Sequence, residues 1–133
     1  MATYEHPNAS IIRSAYELMG KGDAIGYAAL LDDDVIWHES TPGMQGEYRG
    51  RDQVLAFMGQ VFVESGLQMS IDVHDVLAND EHAVILHETT GTMGECTLSN
   101  KYVDVYHLSN GKITEHWHLS LDPSADEEFF AAG

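Results

Sequence analysis

Basic residues are scarce in this chain. Six lysines and arginines stand against 22 aspartates and glutamates, a formal net charge of -16. A field of that sign repels phosphate backbones and anionic headgroups, which argues against nucleic acid and membrane surfaces as partners. There is one cysteine, Cys96, so no disulfide can form within the chain. No apolar run approaches the roughly 20 residues of a membrane-spanning helix. The opening residues Met1 to Asn8 hold no basic segment followed by an apolar one. No secretory leader is therefore expected, and the expected location is cytoplasmic. Repeats, linkers and low-complexity runs are also missing.

What remains is an ordinary globular composition, 44% hydrophobic and 21% charged, in which the excess acid serves first as a solubility device. A length of 133 residues supports one domain over 1–133, with its own core, and not two.

The first half reads as helical. Asn8 or Ser10 can cap a helix whose apolar positions Ile11, Ile12, Ala15, Leu18 and Met19 recur at helical spacing, and Gly20 and Gly22 stop it. Asp23 can cap a second, short helix through Ala24, Ile25, Ala28, Leu30 and Leu31. Asp32-Asp33-Asp34 would oppose the dipole at a helix end and is expected to be a loop. Val35 to Glu39 reads as a strand, and a loop with Pro42, Gly43 and Gly46 follows. Asp52 opens a third helix carrying Val54, Leu55, Phe57, Met58, Val61 and Phe62.

The second half reads as β. Leu67 to Leu77 alternates, with Leu67, Met69, Ile71 and Val73 on one face, and Asn79-Asp80 is a turn. Strands are expected over Ala83 to Thr92, Thr97 to Leu108 and Ile113 to Leu121, with Asn110-Gly111 as a hairpin signal. Pro123 ends the last strand, and Ser124 can cap a terminal helix through Phe129 and Phe130. Three helices followed by a four-strand antiparallel meander make an α+β pattern. Its natural packing is a curved sheet closed on one side by helices.

Candidate chemistry centres on Glu115-His116-Trp117-His118. A strand sends alternate side chains to one face, so His116 and His118 point together and Trp117 points away. Imidazole titrates nearest neutrality, so the pair would transfer protons or ligate a metal, with Glu39 or Asp104 completing the set. No cysteine ligand motif accompanies them, and no metal or other cofactor is expected. Asp104, in Val103-Asp104-Val105-Tyr106, is either on the outer face or buried with a partner.

Several segments resemble one superfamily. Tyr16-Glu17-Leu18-Met19 with Lys21-Gly22-Asp23 resembles the first helix and turn of the nuclear-transport-factor-2-like proteins. Gly50-Arg51-Asp52-Gln53-Val54-Leu55-Ala56-Phe57 resembles the opening of their third helix, and Gly111-Lys112-Ile113 with Glu115-His116-Trp117 their last hairpin. The combination covers nearly the whole chain and is most similar to the polyketide-cyclase-like (SnoaL-like) and ketosteroid-isomerase-like branches. The resemblance implies a cystatin-like roll: a cone in which a bent antiparallel sheet wraps three helices around an apolar pocket.

Site residues carried over by that resemblance match only in part. The isomerase base falls on Glu39 at the end of the first strand. The tyrosine and protonated aspartate of the isomerase oxyanion hole fall near Ala15 and Lys101. Tyr16 is one residue off, about 100° around the helix, and is not expected to substitute. A further pocket tyrosine falls on Met58. The pocket-facing positions of the last strand fall on His116, His118 and Ser120, with Trp117 and Leu119 outward on the face that commonly makes a dimer. The cyclase-like acid/base falls on Asp104 or Asp122. The dehydratase set of histidines and a carboxylate could come from His87, His107, His116, His118 and Glu39. Trp37, Phe57, Met58, Phe62, Met69 and Met93 are core, some of them lining the pocket, and Tyr48 is placed to cover its mouth. All three arginines, Arg13, Arg49 and Arg51, lie in the helical half. The arginine-centred epoxide hydrolase chemistry of the superfamily is therefore not expected.

The implied activity is cofactor-independent acid/base catalysis next to a carbonyl of a small, largely apolar, polyketide- or steroid-like substrate, by isomerisation, cyclisation or dehydration. Glu39 would be the base and His116 or His118 the proton donor, in a homodimer. Two other readings stay open: a non-catalytic binder of an apolar ligand, and a metal-dependent enzyme using the histidine pair.

Overall fold

Local chemistry sets the first helix. Pro7 occupies its first turn, where no N–H is needed, and His6 Nδ1 accepts from the Asn8 N–H at 3.0 Å. His6, not Asn8 or Ser10, is therefore the cap of α1 (Pro7–Lys21). Gly22, left-handed at φ 72°, closes the helix on the Leu18 and Met19 carbonyls. The Asp23 carboxylate then accepts from Gly26 N–H and starts α2 (Ala24–Ala28). A Cβ on Gly26 would stand 2.7 Å from that carboxylate, so the tight cap requires glycine there.

The computed structural model describes residues 5–132. Residues 1–4, part of the segment expected to carry no leader, lie outside them. After the two helices come β1 (Leu31–Glu39), β2 (Gly46–Arg49), α3 (Arg51–Gly59) with a π-helical turn over Gln60–Glu64, β3 (Gln68–Ala78), β4 (His82–Met93), β5 (Cys96–Ser109), β6 (Lys112–Ser120) and α4 (Pro123–Ala132). The α+β class and the curved, unclosed sheet wrapped on N-terminal helices agree with expectation.

Further expectations need correction. The second helix, expected through Leu30 and Leu31, stops at Ala28, and Leu31 opens β1. Asp32, Asp33 and Asp34 do not form a loop but extend β1 to Leu31. Asp33 and Asp34 are exposed, so a strand holds them at no desolvation cost and without opposing a helix dipole. The segment 40–50 contains β2, which pairs antiparallel with β1 from Ile36↔Arg49 to Glu39↔Gly46. And the expected four-strand antiparallel meander, present as β3-β4-β5-β6, is extended by β1 and β2 at its β6 edge. The sheet order is β2-β1-β6-β5-β4-β3, with β1 parallel to β6. Register shifts at Leu31/Ile36, Val73/Asp75 and His107/Leu108 are bulges that bend the sheet.

The concave face carries the core. Ile12 and Ala15 of α1, Val54 of α3, Val35 of β1, Ile85 of β4 and Ile113 of β6 are all fully buried. Asp122 accepts from Ala125 N–H and caps α4, with Pro123 next; Ser124 is not the cap. Asp126 of that helix is fully buried and accepts from Tyr102 Oη at 2.5 Å and Asn100 Nδ2 at 3.2 Å. This clamp ties α4 to β5. Tyr102→Phe leaves Asp126 short of a donor and should lower stability by about 1–3 kcal/mol in urea denaturation.

Candidate active site

Strand alternation brings a dense polar cluster to the concave face. β5 turns Asn100, Tyr102, Asp104 and Tyr106 inward, β4 turns His87 and Thr89 inward, and β6 and β1 contribute His116 and Glu39. Asp104, 2% exposed, is the centre. His87 Nε2 donates to its Oδ1 at 3.1 Å and His116 Nε2 to its Oδ2 at 2.6 Å. His118 Nδ1 spans both oxygens, at 2.9 and 3.0 Å. One carboxylate thus receives three imidazoles.

The protonation pattern follows. Burial alone would push the Asp104 carboxyl up, but the His118 charge and the three imidazole bonds outweigh it and hold it well below the usual carboxylate range. Burial pushes His118 down, and the adjacent Asp104 charge overrides it, raising the imidazole from 6.5 to about 9. His116 is the reverse case. Burial lowers it despite its bond to Asp104, so at neutral pH it is the uncharged imidazole beside a His118 cation. Its Nδ1 is buried without a partner among the described residues. His118 has Nδ1 committed to Asp104, and Nε2 has no partner among the described residues, on a side chain 18% exposed.

Glu39 faces His118 directly across the parallel β1–β6 ladder. Its Oε2 accepts from Ser40 N–H at 3.1 Å, Thr41 N–H at 3.2 Å and Thr41 Oγ1 at 2.8 Å. Those bonds fix the carboxylate, and Oε1 has no partner among the described residues. Both residues, with Asp104, His87 and His116, line a cavity of about 80 Å³, room for two or three waters or a few heavy atoms. Trp37, Phe57 and Phe62 supply apolar wall. A second space of about 490 Å³, bordered by Pro42, Tyr48 and Glu127, shares Met44, Phe57, Val61 and Phe130 with the first. The ionisable cluster thus sits in an otherwise apolar inner cavity that adjoins a wider outer space.

Not every residue expected in the pocket is there. Lys101 is exposed on the outer face opposite Glu88, because inward Asn100 and Tyr102 flank it. Ser120 is turned to the α4 clamp, bonded to Asn100 Nδ2 and the Asp122 N–H. Met58 borders a separate groove between α1 and α3. Tyr48 stacks on Phe57 at 4.1 Å and donates to the Met44 carbonyl, at the mouth and not in the deep cavity. His107 lies on the outer face, between inward Tyr106 and Leu108, and Asp122 is exposed at the α4 cap. Tyr16, set aside as misplaced, lines the cavity and bonds Tyr106 Oη at 2.7 Å. Ile12, Ala15, Tyr16 and Met19 make one helix face, so the i, i+3, i+4, i+7 spacing carried this signal. Thr89, Tyr102 and Tyr106 were missed as well, though each lies two residues from His87 or Asp104 on its strand.

Residues 12–116 match the family model of the SnoaL-like domain. The chain belongs to the SnoaL-like domain family. The uncharacterised protein Rv0034 of Mycobacterium tuberculosis is 25% identical over 125 residues, covering 91% of this chain and 94% of its own. Bal32a, from a soil-derived mobile gene cassette, has a TM-score of 0.85 at 25% identity, covering 92% and 95% of the two chains. TerC, solved with polyporic acid, has a TM-score of 0.84 at 20% identity over 95% and 99%; at that identity the likeness shows the fold.

Within this SnoaL-like chain the three arginines pair outside the cavity, Arg13 with Glu5, Arg49 with Glu47 and Arg51 with Asp33. The donor atoms of His87, Asp104 and His118 all lie within 4.8 Å of one another. This set could also hold a divalent ion, which would displace the protons now shared between them. No helix among the described residues is long and apolar enough to cross a membrane.

Proposed function

We propose that this SnoaL-like protein is a cofactor-independent acid/base enzyme acting next to a carbonyl of a small, largely apolar substrate. The observation that carries the reading is the Glu39–His118 pair: a carboxylate with Oε1 free, directly across the ladder from an imidazolium with Nε2 free. Glu39 Oε1 takes the proton from the carbon beside the carbonyl. As charge moves to the carbonyl oxygen, His118 Nε2–H donates to it. Return of the proton to a different carbon completes an isomerisation; departure of a β-hydroxyl, which takes that proton from Glu39 and leaves as water, completes a dehydration. Asp104 acts through His118, holding its tautomer and its charge, and is a positioning residue. The reacting group fits the deep end and the apolar body the mouth between Met44, Phe57, Val61 and Phe130. TerC's co-crystallisation with polyporic acid is in keeping with an organic ligand in a roll of this shape.

Hydrogen exchange tests the reading on any ligand that enters the pocket. A panel of apolar ketones and enones is incubated in D₂O, and exchange beside the carbonyl is followed by NMR. Catalysed exchange by the wild type and none by Glu39→Gln is the expected result; equal exchange by both proteins refutes the proposal.

We further propose a homodimer through the outer sheet face. His38 and Trp117 stack there at 5.2 Å, and Leu119 is 43% exposed on the same strand. Leu119→Glu should convert a dimer to a monomer in sedimentation equilibrium.

A further inference from the structure

Outside the cavity a second group of ligating side chains converges at the open end of the β4–β5 hairpin. His82 and His107 stand directly opposite each other in the ladder, with ring centroids 4.5 Å apart. Glu81, in the turn that leads into β4, completes the group, and one donor atom from each of the three lies within 4.8 Å of the others. The surroundings fix the turn backbone and the His82 ring. Asn79 Oδ1 accepts from the backbone N–H groups of Glu81 and His82, at 3.0 and 2.8 Å, and from His82 Nδ1 at 3.2 Å. The Glu81 carbonyl accepts from Leu108 N–H at 2.9 Å, fastening the turn to the strand that carries His107.

We propose that Glu81, His82 and His107 form a binding site for a late first-row divalent cation such as Zn²⁺. Four features argue for it. Two imidazoles and one carboxylate are the donor set such ions select, and three protein ligands leave open positions for water. The Asn79 bond places the proton of His82 on Nδ1, so Nε2 carries the lone pair. A ligating histidine whose other nitrogen donates to an oxygen is the usual outer arrangement of a metal site. Neither the His107 ring nor the Glu81 carboxylate is used in another hydrogen bond or ion pair among the described residues, and the acidic chain favours a cation over its neighbours. A bound ion would cross-link β4 to β5 at the end the hairpin turn does not close, and would tie the β3–β4 turn to both. The site would therefore stabilise the sheet and stand apart from the acid/base cluster.

The experiment is a Zn²⁺ titration of metal-free full-length protein by calorimetry at pH 7.5, with melting followed in parallel. Four variants are compared: His107→Ala, His82→Ala, Glu81→Gln and, in the cavity, His118→Ala. Saturable one-to-one binding with a rise in melting temperature is expected for the wild type and for His118→Ala. Affinity should fall about tenfold or more in His107→Ala and His82→Ala, which circular dichroism should show folded, and less in Glu81→Gln. Loss of binding in His118→Ala with retention in His107→Ala would place the ion in the cavity and overturn the proposal. Failure of the folded wild type to bind Zn²⁺ would overturn it equally.

Discussion

Glu39→Gln is expected to lower turnover by about 10²–10⁴-fold, the range that a positioned general base contributes. The substitution keeps the shape of the side chain, and the amide oxygen can still accept from Thr41 Oγ1 and the two backbone N–H groups that now hold Oε2. What it removes is the lone pair that takes the proton. Substrate affinity should change little, because the apolar walls and His118 are untouched. Steady-state kinetics read this directly: kcat falls while KM stays near its wild-type value. A parallel fall in affinity would make Glu39 a binding residue, and unchanged kcat would remove it from the chemistry. His118→Gln should act on the same step from the other side, and the upper limb of the pH profile should vanish with it.

Asp104→Asn is expected to cost about 3–5 kcal/mol of stability, the range for removing one member of a buried ion pair. Three imidazoles now rest on that carboxylate, and its loss leaves His118 without the charge that keeps it protonated. The pH dependence distinguishes this from a loss of packing. His118 is raised from 6.5 to about 9, so its contribution is complete below 6.5 and is lost as pH rises through 9. Asp104 is depressed; its contribution is present above the ordinary carboxylate range and lost as pH falls through its lowered value. His116 is also depressed, so the unfolded chain takes up that proton first and stability declines below 6.5. The three groups titrate as a unit, and the stability they supply peaks near pH 6.5. Urea denaturation across pH 5 to 10 should show the wild type losing stability between 6.5 and 9, and Asp104→Asn showing a much flatter profile over the same interval. Activity that needs the His118 proton should follow the same upper limb: near 9 in the wild type, well lower in Asp104→Asn.

The sequence carried more of the fold than of the site. Strong period-two runs and Asn110-Gly111 placed β3 to β6 within a residue or two, since a half-buried strand writes its two faces directly into the chain. β2 was illegible because its four residues, Gly46–Arg49, are mostly exposed and bury no face of their own. β1 was read short because its acidic first half carries no alternating signal. The insertion of β1 beside β6 is a long-range pairing that no local pattern encodes. In the site, alternation put His116 and His118 on one face and Trp117 on the other. It could not show that Asp104 sits under both histidines, because the register of β5 against β6 decides that. Lys101 failed for a related reason: the matched position is one residue out of phase with the inward set, and in a strand one residue is the whole difference between inside and outside. Tyr16 failed because a single matched position outweighed the helical face it belongs to.

The parallel pairing of β1 with β6 also bears on how the chain reaches this state. Seventy-eight residues separate Ser40 from His118, whose carbonyl it bonds. β6 is the last of the described strands to be made, yet it lies inside the sheet, between β1 and β5. Until it is placed, the β1–β2 hairpin and the β3–β5 meander are two separate ribbons, each with an unpaired edge. Non-local closure of that kind slows folding, and open edges invite pairing with other chains. Newly synthesised protein therefore carries open strand edges until β6 is made, and Glu39 and His118 meet only when that strand is placed. A chain truncated before Lys112 would hold Glu39 and Asp104 without His116 or His118, and neither ribbon would be a sheet with a site.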